Sequence, residues 1–268
     1  MADERKNEYR GMPEFYDAEY ADQEFLREDF VMFLEEGCEG WLKICEIGVG
    51  TARAAIPIAK AGHKVIGVDI DTNLLKMAEE KRDAAGLSEE QLSFVQADVT
   101  REKWADKVGG DYDAAAIFFN TFLAFAKPEH QEHVLRQANK ILQPGGVLWI
   151  DIFNPDLTLI TGAIGGVQDL EPALFRTADG RTVQRLTSLY ANVTKQIQHV
   201  TFHYRWFEND DERTADSSFD MTWITPRELE RLLRLCGFQV EAVWGDYERA
   251  DLDDDAPRQI VMARKLAD

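Results

Sequence analysis

The chain has 268 residues, 45% of them apolar, with 30 Lys+Arg against 49 Asp+Glu and a formal net charge of −19. That length holds one large domain, or one carrying an insertion, with a core that needs neither disulfide nor metal, and the charge repels an unmodified polyanion, which disfavours nucleic acid as a substrate. The three cysteines (Cys38, Cys45, Cys236) have no paired CxxC spacing, no run approaches the roughly 18 apolar residues of a membrane span, and the first 30 residues are acidic without a leader pattern, so a reduced cytoplasmic setting is the expectation.

From about residue 22 to 153, short β-branched runs alternate with amphipathic helical runs, the pattern of a parallel sheet covered by helices. The predicted strands are Leu42 to Ile47, Lys64 to Asp69, Leu92 to Ala97, Tyr112 to Phe119 and Val147 to Phe153. Between the second and third, Asp71 is placed to cap a helix with Leu74, Leu75 and Ala78 inward, and Gly86 suits a left-handed stop. Between the fourth and fifth, Pro128 opens a helix whose Val134, Ala138, Ile141 and Leu142 share a face until Pro144-Gly145-Gly146.

After Phe153 the pattern becomes antiparallel: Arg181 to Tyr190, Gln196 to Phe207 and Ser217 to Ile224 read as strands. In the second, Val200, Phe202, Tyr204 and Trp206 fall on one face and His199, Thr201, His203 and Arg205 on the other, because strand side chains alternate. Thr225-Pro226-Arg227-Glu228 reads as a helix start, with Leu229, Leu232, Leu233 and Cys236 as its apolar stripe, and strands Phe238 to Trp244 and Gln259 to Ala263 follow. No Pro-, Gly- or Ser-rich linker sets the antiparallel part off, so the expectation is one domain over 1–268, with an N-terminal lid segment at about 1–36 and an insertion at about 156–224. The acidic run Asp251, Asp253, Asp254 and Asp255 reads as a solvated loop.

The chemistry concentrates at Ile44-Cys45-Glu46-Ile47-Gly48-Val49-Gly50-Thr51-Ala52-Arg53, a strand, a glycine turn and a helix start. Glycine at the carboxyl end of a first strand lets a ligand approach bare backbone. Asp69 ends the next strand, where a carboxylate can accept from both hydroxyls of a ribose, and Asp98 ends the third, within range of an adenine amino group. A dinucleotide pyrophosphate wants a third glycine and an open helix N-terminus; here Arg53 stands at that position and Glu46 precedes the turn. A nucleoside bearing a cationic sulfonium and an ammonium group suits Glu46, Asp69 and Asp98 better.

With these motifs the sequence resembles the class I S-adenosylmethionine-dependent methyltransferases from about Tyr16 to Lys265. The matching motifs are Glu46-Ile-Gly48-Val-Gly50-Thr51, Gly67-Val-Asp69-Ile70, Gln96-Ala-Asp98-Val99, Tyr112-Asp113 and Leu142-Gln-Pro144-Gly145-Gly146. A narrower likeness, to small bacterial members with an N-terminal Tyr-Asp segment, rests on Phe15-Tyr16-Asp17-Ala-Glu-Tyr20, Phe119-Asn120-Thr121 and Phe153-Asn154-Pro155-Asp156. The resemblance implies a Rossmann-like, doubly wound α/β fold whose seven-stranded, mostly parallel sheet has an antiparallel last strand. It implies S-adenosylmethionine as cofactor, with Gly48 and Gly50 along the methionine portion, Glu46 organising the turn, Asp69 on the ribose and Asp98 with the Val99 amide at the adenine. Ile70 and Phe119 complete that set, and Tyr16 and Tyr20 are candidates for folding over the cofactor. The family's glycine two places beyond Gly50 is Ala52 here.

Methyl transfer needs alignment more than a universal catalytic residue. Asn120, just past the fourth strand, is placed to face the methyl group or to cap a turn, and Asp151 and Asn154 lie near the end of the fifth strand as substrate contacts or as a buried acceptor and a turn residue. His203 is a candidate general base for an amine or hydroxyl acceptor, against the plain reading of a solvated sheet face; Tyr190, Tyr204 and Trp206 line an acceptor pocket or form core. The expected protein is a monomer or homodimer that methylates a nitrogen or oxygen of a small molecule. The alternatives are a non-catalytic binder of the same cofactor and a nicotinamide-dependent oxidoreductase.

Overall fold

The computed structural model describes residues 13–20, 25–37, 40 and 42–266; Cys38 lies outside them, and Tyr20 is described in its backbone alone. Helices α1 (Pro13–Tyr20) and α2 (Phe25–Gly37) precede the alternating part: β1 (Lys43–Ile47), α3 (Ala55–Lys60), β2 (Lys64–Asp69), α4 (Thr72–Ala84), β3 (Leu92–Gln96), α5 (Ala105–Val108), β4 (Tyr112–Ile117), α6 (Pro128–Ile141) and β5 (Leu142–Phe153). Next come α7 (Leu157–Gly162), β6 (Gln168–Asp169), β7 (Ala173–Arg176), β8 (Thr182–Asn192), β9 (Ile197–Glu208) and β10 (Asp211–Thr222), and the chain closes with α8 (Pro226–Leu235), β11 (Phe238–Trp244) and β12 (Arg258–Lys265).

Seven strands form one sheet in the order β11-β12-β5-β4-β1-β2-β3, with β12 antiparallel to both neighbours and the other pairings parallel. This is the expected doubly wound, mostly parallel sheet. Its order reverses between β1 and β4, the switch point beyond which ligands bind in open α/β sheets. Strand β4 is central and its Ala114, Ala115, Ala116 and Ile117 are fully buried. Helix α2 sets Phe33 edge-on to Phe118 and Trp149, with centroids 5.4 and 5.7 Å away. Asp71 caps α4 by accepting from the Asn73 and Leu74 amides at 2.7 and 3.3 Å, and Gly86 takes φ +73° beyond its end, both as the sequence implies. Glu228 accepts from the Thr225 amide at 2.8 Å at the start of α8.

The described residues divide into two compact units: those of 25–154 with 224–266, which hold the seven-stranded sheet, and 155–223 with 13–20. In the second, a five-stranded antiparallel sheet runs β10-β9-β8-β6, with β7 also on β8. Val200, Phe202, Tyr204 and Trp206 form its buried face as the alternation predicts, and Phe15 of α1 lies 5.3 and 5.2 Å from the rings of Tyr204 and Trp206. Tyr204 and Trp206 are therefore core. The opposite face pairs His199 with Asp220 and His203 with Asp216, each at 2.8 Å.

Several strand ends differ from expectation, most by one or two residues, β6 and β7 are not among the expected strands, and three of the differences have a clear physical cause. Strand β4 stops at Ile117, two residues early, because Phe119 and Asn120 turn into the left-handed region. Strand β5 starts at Leu142: Tyr112 pairs with Leu142, Ala114 with Val147, and the residues between bulge. Strand β10 starts at Asp211 rather than Ser217; it ends the sheet, and its charged residues suit an exposed edge.

Candidate functional site

At the carboxyl end of β1 the chain turns through Gly48 (φ +77°), Gly50 (φ +54°) and Ala52 (φ +63°). The Gly48 and Val49 amides donate to the Val68 carbonyl at 2.7 and 3.1 Å, tying the turn to β2. A Cβ on Gly48 would run into Thr121, and one on Gly67 would lie 2.6 Å from Val49, so both glycines are required by close packing. A Cβ on Gly50 would meet no protein atom within 4 Å, so its backbone is a surface a ligand can lie against. Ala52 occupies the left-handed position that glycine takes more cheaply, at a cost of about 1–2 kcal/mol.

Three carboxylates line the ends of β1 to β3. Glu46 is buried; it accepts from the Ala55 amide, while its Oε2 has no partner among the described residues. Burial pushes its pKa up to about 8, Arg53 opposing and the charges of Asp29 and Asp69 adding to the rise. Asp69 is half-buried, and its carboxylate accepts from the Gly50 amide at 2.8 Å and the Asp71 amide at 2.9 Å. Burial raises its pKa and those amides oppose the rise. The Ile70 amide also donates to this carboxylate, so three of its roughly four acceptor sites are taken and one remains for a further donor. Asp98 accepts from the Thr100 amide and hydroxyl at 3.0 and 2.5 Å, and the Val99 amide beside it makes no hydrogen bond among the described residues.

This donor set fits a cationic nucleoside and fits a pyrophosphate poorly. Glu46 already occupies the Ala55 amide at the start of α3, where a phosphate would have to bind. The unpartnered, buried Glu46 Oε2 calls for a donor or a cation.

Beyond β4, Phe119 (φ +47°) and Asn120 (φ +65°) form a second left-handed turn. Asparagine tolerates that region; a bulky phenylalanine there costs of order 1–3 kcal/mol and persists only where its surroundings impose it. Here the surroundings centre on Asp151, which is fully buried. It accepts from the Phe119 amide (3.2 Å), the Tyr247 hydroxyl (2.9 Å) and Arg258 Nε (2.5 Å), and its carbonyl accepts from the Asn120 amide (3.0 Å). Asn120 Oδ1 accepts from the Phe153 amide at 2.7 Å and from Arg258 Nη2 at 3.4 Å, which leaves its Nδ2 as the end available to a ligand. Asp151 is thus the buried acceptor rather than a substrate contact. Asn154 is the turn residue, its Nδ2 donating to the Asp253 carbonyl at 3.1 Å.

Three participants escaped the sequence reading. Asp29 of α2, fully buried, forms a two-pronged ion pair with Arg53, whose guanidinium lies 5.4 Å from the Phe119 ring. Tyr247 and Arg258 reach Asp151 from 96 and 107 residues away. Proximity in sequence carries no signal for such contacts; an arginine just ahead of the apolar run Ile260 to Ala263 was the one available hint.

Glu46, Gly48, Gly50, Asp69, Ile70, Asp98, Val99, Phe119 and Asn120 all belong to the unit of the seven-stranded sheet, on β1 to β4 or the turns that leave them. Tyr16, half-buried on α1, and His203, 41% exposed on β9, belong to the other unit; the Tyr20 side chain lies outside the described residues. Tyr190 is exposed on β8. Among the described residues no group of His, Cys, Asp and Glu is arranged to hold a metal ion, and no helix is long and apolar enough to cross a membrane.

Residues 44–146 match the methyltransferase domain family. The chain is 26% identical over 212 residues to the cypemycin N-terminal methyltransferase of a Streptomyces species, covering 76% of this chain and 75% of that protein. Among solved structures it resembles an S-adenosylmethionine-dependent methyltransferase from Clostridium acetobutylicum, with TM-score 0.76, 12% identity and coverage of 94% and 97% of the two chains. It also resembles an amino pentose methyltransferase from Micromonospora echinaspora bound to S-adenosylmethionine, with TM-score 0.70, 16% identity and coverage of 94% and 96%.

Proposed function

Since this chain belongs to the class I S-adenosylmethionine-dependent methyltransferases, we propose that it methylates a nitrogen or oxygen atom of a small molecule, and specifically an amine. When bound, S-adenosylmethionine supplies a methyl group already activated by its sulfonium. The chain's residues then have to hold, orient and exclude water, and alignment of this kind is worth up to about 7–11 kcal/mol. In this reading Gly48 and Gly50 admit the methionine portion, Glu46, held protonated by burial in the free protein, ionises against its cationic charge, Asp69 holds the ribose with Ile70 beside it, and Asp98 and the Val99 amide read the adenine. Phe119 lies against the nucleoside and Asn120 turns its Nδ2 toward the reacting centre.

The observation that carries the reading is the buried Glu46 oxygen without a partner, beside a turn of bare backbone. Two supports favour an amine acceptor. A net charge of −19 draws cationic molecules toward the protein and repels anionic ones. Two of the proteins it resembles are named for amine-bearing acceptors, a peptide N-terminus and an amino pentose.

The test is S-adenosylhomocysteine production with a panel of amino sugars, peptides with free N-termini, phenols, carboxylates and transfer RNA. Turnover confined to amines is the expected result. Turnover on phenols, carboxylates or transfer RNA alone overturns the acceptor class, and silence across the panel despite cofactor binding identifies a non-catalytic binder. With an amine in hand, His203→Ala tests the general base, with His199→Ala as matched control because it sits in the same kind of His–Asp pair.

A further inference from the structure

We propose that Arg258 is a positioning residue of the cofactor site, acting through Asp151 to lock the Phe119–Asn120 turn. The inference rests on the reading that this turn borders the cofactor. Arg258 opens β12, the antiparallel strand, opposite Phe153 on β5. Its guanidinium is enclosed by the rings of Phe153, Tyr247 and Phe119, with centroids 5.0, 5.3 and 5.9 Å away. One edge donates to Asp151 Oδ1 at 2.5 Å and another nitrogen reaches Asn120 Oδ1 at 3.4 Å. The other Asp151 oxygen accepts from Tyr247 and from the Phe119 amide.

The Phe119 amide thus returns to the Asp151 carboxylate and the Asn120 amide to the Asp151 carbonyl, and among the described residues Arg258 is the side chain that donates to both Asp151 and Asn120. A planar fork is what spans two acceptors at once; a lysine in its place keeps the charge and loses the span. The turn carries Phe119 and Asn120, so a loosened turn would misplace both without removing any atom that meets the ligand.

Arg258→Lys and Tyr247→Phe in the full-length protein test this by amide hydrogen exchange and by calorimetric titration with S-adenosylhomocysteine. In Arg258→Lys, protection of the Phe119 and Asn120 amides is expected to fall at least tenfold while Ala115 and Ala116 in β4 keep theirs, and affinity is expected to fall by about fivefold to twentyfold. Tyr247→Phe, which removes one donor and keeps the ion pair, should show the same pattern at smaller amplitude and serves if Arg258→Lys does not fold. Unchanged turn amides, or a loss of protection shared equally by β4, overturns the proposal. Loosened turn amides with unchanged affinity leave the lock but overturn its positioning role. A parent protein that does not bind S-adenosylhomocysteine at all refutes the cofactor reading instead, a result distinct from the others because no variant is needed to see it.

Discussion

The two sheets treat charge in opposite ways. In the unit of the seven-stranded sheet, Asp29, Glu46, Asp151 and Arg258 are buried around the carboxyl ends of β1, β4 and β5. In the unit of the five-stranded sheet, Glu19 on α1 is the only buried acidic or basic side chain among the described residues, held by Arg185, while His199–Asp220, His203–Asp216 and Arg205–Glu212 stand on an open face. A buried charge survives only if partners offset its desolvation, so each one at the rim marks a position the fold maintains at a cost. An exposed pair is worth about 0–1 kcal/mol and marks little. The difference predicts that substitutions of equal chemistry will have very unequal effects in the two regions.

The largest contrast is between Asp151→Ala and Asp216→Ala. Removing Asp151 leaves the Arg258 guanidinium buried and unpaired, and urea denaturation should show a loss of about 3–5 kcal/mol. Glu46 gives the next effect. Its folded-state pKa is raised to about 8 from an ordinary 4.5, so its protonated form contributes stability that is complete below pH 4.5 and is lost as pH rises through about 8. Glu46→Gln should remove that slope and make the protein more stable than the parent at pH 8 and above; an unchanged slope contradicts the burial argument.

Ala52→Gly is smaller and opposite in sign to most substitutions. Relief of the left-handed strain, reduced by the greater freedom of glycine in the unfolded chain, should stabilise by about 0.5–1 kcal/mol. Smallest of all, Asp216→Ala should change stability by less than about 0.5 kcal/mol, because the His203 it pairs with is 41% exposed. A loss above about 2 kcal/mol there would erase the distinction between the two regions.

What the sequence reveals follows the same division. Periodicity made the parallel strands, the Asp71 cap, the Pro128 helix start and the two faces of β9 legible, because each depends on residues a few positions apart. The glycine turn and its carboxylates were legible for the same reason, lying at the ends of successive strands. The Asp29–Arg53 pair and the Asp151–Arg258–Tyr247 cluster were not, since their members are joined only by the fold. Residues 211–216 are too charged to register as strand by hydrophobic alternation, yet pairing with β9 makes them one. The left-handed turn at Phe119 was invisible because its cause, an acceptor on the neighbouring strand, is not local.

Central to the proposed function is the Asp69 carboxylate receiving the ribose of a sulfonium-bearing nucleoside, but Asp69 also braces the glycine turn through the Gly50 and Asp71 amides. Affinity loss in Asp69→Ala would therefore mix two causes. A thermodynamic cycle separates them: calorimetric titration of parent and Asp69→Ala with S-adenosylhomocysteine and with its 2′-deoxyribose analogue. The parent should bind the complete nucleoside about tenfold or more tighter than the deoxy analogue, by a hydrogen bond to a charged acceptor, and Asp69→Ala should bind both alike. An equal preference in parent and variant would contradict the assignment.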